Sequence, residues 1–286
     1  GQIIPQREFI ETTTFRQPLP YRDGEFCHYT LGKLAASAAS LEPQKKGRAM
    51  CELFGNYKWH EGVRLEKYLA DHLLVRGINY FVPHAFSAAP FPDPDCPPHF
   101  YAHGNNPQYR HFGELMSYMN RCASLLSDGK PIINVAILYN AESDWSGEAM
   151  HLQKIGINLY DKQIDYLFVP NDAFKEEKYQ TEITKILKIN NQEFKAFIIP
   201  KADYFPESSV ITALKMANDG GVVVLVDELP IGTIEGGSTS NLINDLKRHV
   251  KNSTISIVSS ERLASFLKSE KVVDTIILPE NDRIRV

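Results

Sequence analysis

Two side chains stand out for the chemistry they could do. Glu52 closes the short stretch Gly47-Arg48-Ala49-Met50-Cys51, and His84 closes Ile78-Asn79-Tyr80-Phe81-Val82-Pro83. A carboxylate at the end of a buried strand can serve as nucleophile or general base, and an imidazole beside it can bind a ligand or steer the carboxylate. Tyr57, Trp59 and His60 follow Glu52 closely, while Asn105, Asn106 and Tyr109 lie in a long polar loop after His84. Tyr and Trp rings suit the apolar face of a sugar, but they anchor loops equally well. Asn before Pro107 is also ordinary turn chemistry, and a strand-end Glu can simply pair with an arginine or cap the next helix. Glu61 and Asp71, on or beside the following helix, read as solvated or dipole-stabilising groups.

A second group, His99, His103 and His111 with Asp93 and Asp95, has spacings that would suit one face of a helix. Pro97, Pro98, Gly104 and Pro107 interrupt any such helix, so no metal site is expected. Cys27, Cys51, Cys96 and Cys122 lack the close spacing of a zinc site and read as ordinary thiols. Asn252-Ser253-Thr254 matches a glycosylation acceptor, a weak signal by itself.

The elements that must position these groups divide near residue 130. In residues 1–130, a small-residue-rich helix is expected over Tyr29 to Leu41, with a short strand up to Glu52. An amphipathic helix follows from Gly62 to Arg76, its apolar face built from Val63, Tyr68, Leu69, Leu73 and Leu74. A strand then runs to His84, and after the long loop a helix covers His111 to Leu126. Polar groups gathered after strands are the arrangement of a (β/α)₈ barrel mouth, but two strands cannot close a barrel.

Residues 131–286 alternate more regularly. Apolar runs at Ile132–Tyr139, Asp165–Pro170, Phe194–Pro200, Val222–Val226 and Ile255–Val258 read as strands. Helices are expected at Gly147 to Lys162, Lys175 to Leu187, Ser208 to Asn218, Asn241 to Val250 and Glu261 to Lys268. Such alternation predicts an α/β, flavodoxin-like (glutaminase-like) three-layer domain with a parallel sheet. Its first strand-end loop, Asn140 to Trp145, carries Glu142 and Asp144 and no glycine cluster, which repels phosphate. The Gly236-Gly237-Ser238-Thr239-Ser240 stretch lacks a lysine and reads as a flexible loop. This half has no Cys for a glutaminase-type nucleophile. No nucleotide or flavin cofactor is expected, and the domain reads as a companion to the first.

With 31 Lys+Arg against 35 Asp+Glu, the chain carries a net charge of -4 and lacks the basic face that nucleic acid requires. No apolar run is long enough to span a bilayer, so no membrane insertion is expected. The opening residues show no secretion signal and no initiator Met, and the expectation is a segment of a longer protein.

Several short motifs occur in an order that resembles a known pattern. Lys33 to Ala39, Cys51-Glu52-Leu53-Phe54-Gly55, Leu74 to Phe86, Asn105 to Tyr109 and Arg121 to Gly129 are similar to the closing part of the catalytic barrel in large bacterial glycoside hydrolases. The pattern resembles especially that of enzymes related to the family 106 α-L-rhamnosidases. A barrel followed by a flavodoxin-like domain is also similar to the family 42 β-galactosidases. This resemblance implies the C-terminal part of a (β/α)₈ barrel, with Glu52 at the end of barrel strand seven and His84 at the end of strand eight. It implies Glu52 as the barrel carboxylate, with its partner acid upstream of residue 1, and hence an inactive segment. It also implies an oligo- or polysaccharide substrate met by His84, Tyr57, Trp59, His60, Asn106 and Tyr109. Periplasmic or extracellular residence follows from the same likeness, which leaves a homo-oligomer open. The alternative from another class is a non-catalytic module for carbohydrate binding or oligomerisation.

Overall fold

The computed structural model describes residues 2–3, 28–55, 59, 62–273 and 275. It divides into two units, Gly1–Ser40 with Gln44–Gly129 and Leu41–Pro43 with Lys130–Val286.

The first unit is built on a three-stranded parallel sheet of β1 (Gln2–Ile3), β2 (Met50–Leu53) and β3 (Tyr80–Pro83), in that spatial order. Strand β1 was not foreseen, because two residues are too few to display any periodicity. Helices α1 (His28–Leu41), α2 (Val63–Leu74) and α3 (Phe112–Leu126) supply the rest. Each expected helix of this unit is present within a few residues, because an apolar stripe at helical spacing has one way to be buried. Asn79 ties the starts of β2 and β3 together. Its amide donates to the Gly47 carbonyl at 3.0 Å and its oxygen accepts from the Ala49 amide at 3.0 Å. Side chains alternate along a strand. Cys51 and Leu53 therefore share one face and join a core with Leu31, Ala35, Leu69 and Leu73 from α1 and α2. Met50 and Glu52 are only half-buried, and beside them on β3 Tyr80 is 55% and Val82 41% exposed. One face of this sheet is packed; the other is open.

The second unit carries a five-stranded parallel sheet. In spatial order its strands are β13 (Ser256–Val258), β11 (Val222–Val226), β9 (Ala196–Ile199), β4 (Val135–Leu138) and β5 (Leu167–Val169). All residues of β4, β5 and β9 are buried, the mark of a sheet with neither face in water. Ala136, Leu138, Phe197, Ile199, Val223 and Leu225 pack with residues of α6 (Glu207–Asn218) and α7 (Asn241–Lys251). The alternate residues Ile137, Ile198 and Val224 are equally buried, on the side opposite that core. Short α4 (Ala141–Asp144), α5 (Leu152–Tyr160) and α8 (Leu263–Ser269) complete the helices, and α5 packs on α8.

One expectation for this unit fails. Residues 175–187 do not form a helix. They fold into short 3₁₀ turns and then an antiparallel meander of β6 (Glu182–Ile183), β7 (Leu187–Ile189) and β8 (Gln192–Phe194). The reason is local: Ile183, Leu187 and Ile189 fall at strand spacing, and Asn190-Asn191 forms a two-residue hairpin turn with Asn190 at φ +51°. The Gly236–Ser240 stretch is a loop, as expected, and it carries hydrogen bonds. Thr233 and Gly237 exchange backbone bonds at 3.1 and 2.8 Å, and the Thr233 hydroxyl accepts from the Gly236 amide and donates to Glu207. This loop follows β12 (Gly232–Thr233), which pairs with β10 (Tyr204–Phe205).

Candidate functional site

Glu52 stands one residue before the end of β2, opposite Val82, on the open face of the first sheet. Its carboxylate makes no hydrogen bond or ion pair among the described residues, so it is neither tied to an arginine nor used as a helix cap. Beneath it in the chain, burial and the adjacent Glu52 charge hold the Cys51 thiol far above the usual range, and that thiol is inert. Cys51, Cys96 and Cys122 are free, whereas Cys27 lies outside the described residues.

His84 follows β3 and extends the ladder, its amide donating to the Leu53 carbonyl at 2.8 Å. Alternation puts it on the Glu52 side of the sheet. Its ring lies against the turn after β2: a Cβ on Gly55 would sit 3.3 Å from the ring carbon Cγ. Nδ1 is buried there without a partner. Glu52 and His84 are thus brought to the same ends of neighbouring parallel strands, where ligand sites form in α/β proteins.

The long loop after His84 is organised by aromatic rings. Phe86, Phe100, Tyr109 and Phe112 pack together, with Phe100 and Phe112 only 4.4 Å apart between ring centres. Phe54, just past β2, meets Phe100 edge-on at 6.3 Å. Trp59 approaches this loop from the other strand's turn, edge-on to Phe91 at 5.5 Å and to His99 at 5.9 Å. Asn106 is occupied within the loop, donating to the His99 carbonyl at 3.2 Å and accepting from the Gln108 amide at 3.0 Å. Tyr109 and Asn106 border a small cavity shared with Glu66 rather than the open sheet face. Tyr57 and His60 lie outside the described residues, as does Glu61.

The histidines of this loop serve it in other ways. His99 Nε2 is 2.8 Å from the Asp95 carbonyl and 3.9 Å from the Asp93 carboxylate, and His103 Nε2 is 2.8 Å from the Ala89 carbonyl. Hydrogen bonds from Ser87 and from the Asp95 amide pull the Asp93 carboxyl below its ordinary range. Among the described residues no three such side chains converge as metal ligands. Asp71, read as solvated, instead links two helices: it accepts from Tyr118 of α3 and from Lys67, each at 2.6 Å.

Sequence reasoning missed Glu66. It is 5% exposed, on α2 between Val63 and Leu69, and Oε2 has no hydrogen-bond partner. Burial alone pushes its carboxyl up to about 7. The signal was available, since Glu66, Leu69, Ala70 and Leu73 follow the three-four-seven spacing of a buried stripe. Tyr68, assigned to that stripe, is largely exposed.

No protein-family model matches this sequence, and no curated protein matches it significantly. Solved structures do. A rhamnosidase from Novosphingobium sp. PP1Y is 16% identical over 95% of this chain and 26% of its own, with a TM-score of 0.62. An exo-carrageenase of family GH42 from Bacteroides ovatus is 17% identical over 75% of this chain and 28% of its own, at a TM-score of 0.51. A beta-galactosidase from Bacillus circulans sp. alkalophilus is 15% identical over 75% and 32%, also at 0.51. All are glycoside hydrolases, as the sequence resemblance implied. The chain has a glycoside-hydrolase-like α/β fold and spans about a quarter to a third of the length of these structures. Among the described residues no helix is long and apolar enough to cross a membrane.

Proposed function

We propose that this chain is part of a glycoside hydrolase, with Glu52 as a barrel carboxylate acting on an oligo- or polysaccharide. The observation that carries this reading is the pairing of an unpartnered, half-buried Glu52 with the open face of a parallel sheet whose other face is packed by helices. In this reading the first unit supplies the last strands of a (β/α)₈ barrel, and the open face is its lumen. Glycoside hydrolysis needs two carboxyl groups across the scissile bond, so the partner acid comes from upstream chain and the isolated segment is inactive. His84, on the same strand ends, binds the sugar or steers Glu52, and Trp59 offers a ring at the rim. The geometry of Asn106 and Tyr109 favours a supporting role for them in the loop wall. The second unit is a flavodoxin-like accessory domain; its strand order, 2-1-3-4-5 in chain order, supports that reading.

The test compares the full-length parent with its Glu52→Gln variant on a panel of nitrophenyl glycosides, rhamnosides and galactosides included. A loss on the order of a thousandfold or more is expected for a catalytic carboxylate. An active parent indifferent to the substitution would remove Glu52 from the machinery while leaving the enzyme class standing. The second reading, a binding or oligomerisation module, draws on the exposed Tyr80 and Val82, since exposed apolar surface is where partners dock. A parent silent on every sugar, yet retained on a polysaccharide column or oligomeric through this face, would favour it.

A further inference from the structure

The mouth-side loop after β3 is held to α2 around a carboxyl group that has nothing to bind. Glu66, Phe100, Tyr109 and Phe112 line one cavity of about 10 Å³ that Asn106 and Gln108 also border. Such a space is at the threshold for one water molecule. Gln108 clamps the loop over it: its side-chain oxygen accepts from the Val63 amide at 2.9 Å, at the start of α2. The clamp lies so close that a Cβ on Gly62 would sit 2.4 Å from the Gln108 Nε2 and would push that side chain aside.

Among the described residues, the charged groups near Glu66 are engaged elsewhere or line other spaces. On its own helix, Lys67 is bound to Asp71 and Arg64 lines a separate outer depression. In the loop, His99 and His103 bind the Asp95 and Ala89 carbonyls, and Arg110 donates to His111 at 3.0 Å. On α3, Glu114 is 4.0 Å from His111, and Tyr118 is bound to Asp71. Among the described residues, Tyr109 is the one titratable neighbour that borders the cavity. None of these groups pairs with Glu66.

We propose that Glu66 is a protonation-controlled latch: neutral, it lets the aromatic loop of residues 99–112 close on α2, and ionised, it drives that loop open towards water. A carboxylate with one oxygen buried and unpartnered beside three aromatic rings is costly, and opening the loop would hydrate it. The direction of the Glu66 shift agrees, since the closed state prefers the proton. The latch stands whether or not the parent is a hydrolase. If it is one, the loop bordering the Glu52 and His84 strand ends would change mobility near neutral pH.

Amide hydrogen exchange of the whole chain, resolved by peptide, tests this. The internal standard is the segment 222–226 of the second unit. Between pH 5.5 and 8.5, protection of residues 99–112 relative to that standard should fall about tenfold or more, one pH unit of proton preference being worth tenfold in the opening equilibrium. In Glu66→Gln the relative protection should stay constant, and Glu66→Met, which also cannot ionise, should behave alike. Constant relative protection in the wild-type chain would overturn the proposal. So would an equal fall in a folded Glu66→Gln or Glu66→Met chain, which would place the titration elsewhere.

Discussion

The two units use the same strand-helix-strand grammar and finish it differently. In the second, β4, β5 and β9 are buried along their full length, and apolar residues point to both sides. In the first, burial alternates along β2 and β3, and the sheet is packed on one side only. A complete sheet hides its polar edge in its loops. The sheet of the first unit leaves a carboxylate, a histidine and a tyrosine together on its less covered face. The function proposed for this chain rests on that asymmetry, and the following substitutions are ways to break or sharpen it.

The largest effect is expected in the closed sheet. Phe197→Ala, at a fully buried site in β9, should cost the second unit about 3–5 kcal/mol, read from its denaturant midpoint. Val82→Ala on the open face should cost the first unit under about 0.5 kcal/mol, as an exposed position does. A cost like that of Phe197→Ala would show that this face is covered in solution and erase the contrast.

Next comes pH. The Glu66 carboxyl is raised from 4.5 to about 7 in the folded chain. Between those values the folded state holds a proton that the unfolded state releases. Stability of the first unit therefore falls as pH rises through this window and levels off above it, by about 1.4 kcal/mol per unit at the steepest. Glu66→Gln should flatten the profile in urea titrations at successive pH values. The second unit, monitored in the same samples, should show no such slope if the asymmetry is as described.

Smaller effects follow. Gly55→Ala should press a methyl group against the His84 ring and cost about 1 kcal/mol, with a displaced His84 resonance in NMR spectra. An unmoved ring would mean that the strand ends are looser than the closed sheet's. Tyr118→Phe removes a bond to Asp71 between α2 and α3, at about 1 kcal/mol or less. Lys188→Ala deletes an exposed pair with Glu182 in the meander and should change the second unit by under about 0.5 kcal/mol.

Much of the fold was legible. Helices α1, α2, α3, α6 and α7, and the central strands of both units, announce themselves by spacing, because one-sided or two-sided burial leaves a periodic trace in residue type. The misreadings have the same root. Residues 175–187 carry charges that favour a helix, yet the buried Leu187 and Ile189, the partly buried Ile183 and the Asn190-Asn191 turn decide for strands. Glu66 is less legible, because a charged residue on a helix more often faces water than the core.

Strand-end position alone singled out Glu52 and His84, and the sequence by itself determined that these two groups end apolar strands a βαβ unit apart. Composition likewise settled the net charge and the lack of a membrane-length apolar run. Only the tertiary structure decided which face of the sheet Glu52 occupies, that its carboxylate has no partner among the described residues, and that Asn106 and Tyr109 border a space shared with Glu66. The physical reason is that period and propensity are properties of one segment. Desolvation and pairing belong to groups far apart in the chain, and they exist only once a loop such as residues 99–112 has closed on its helix.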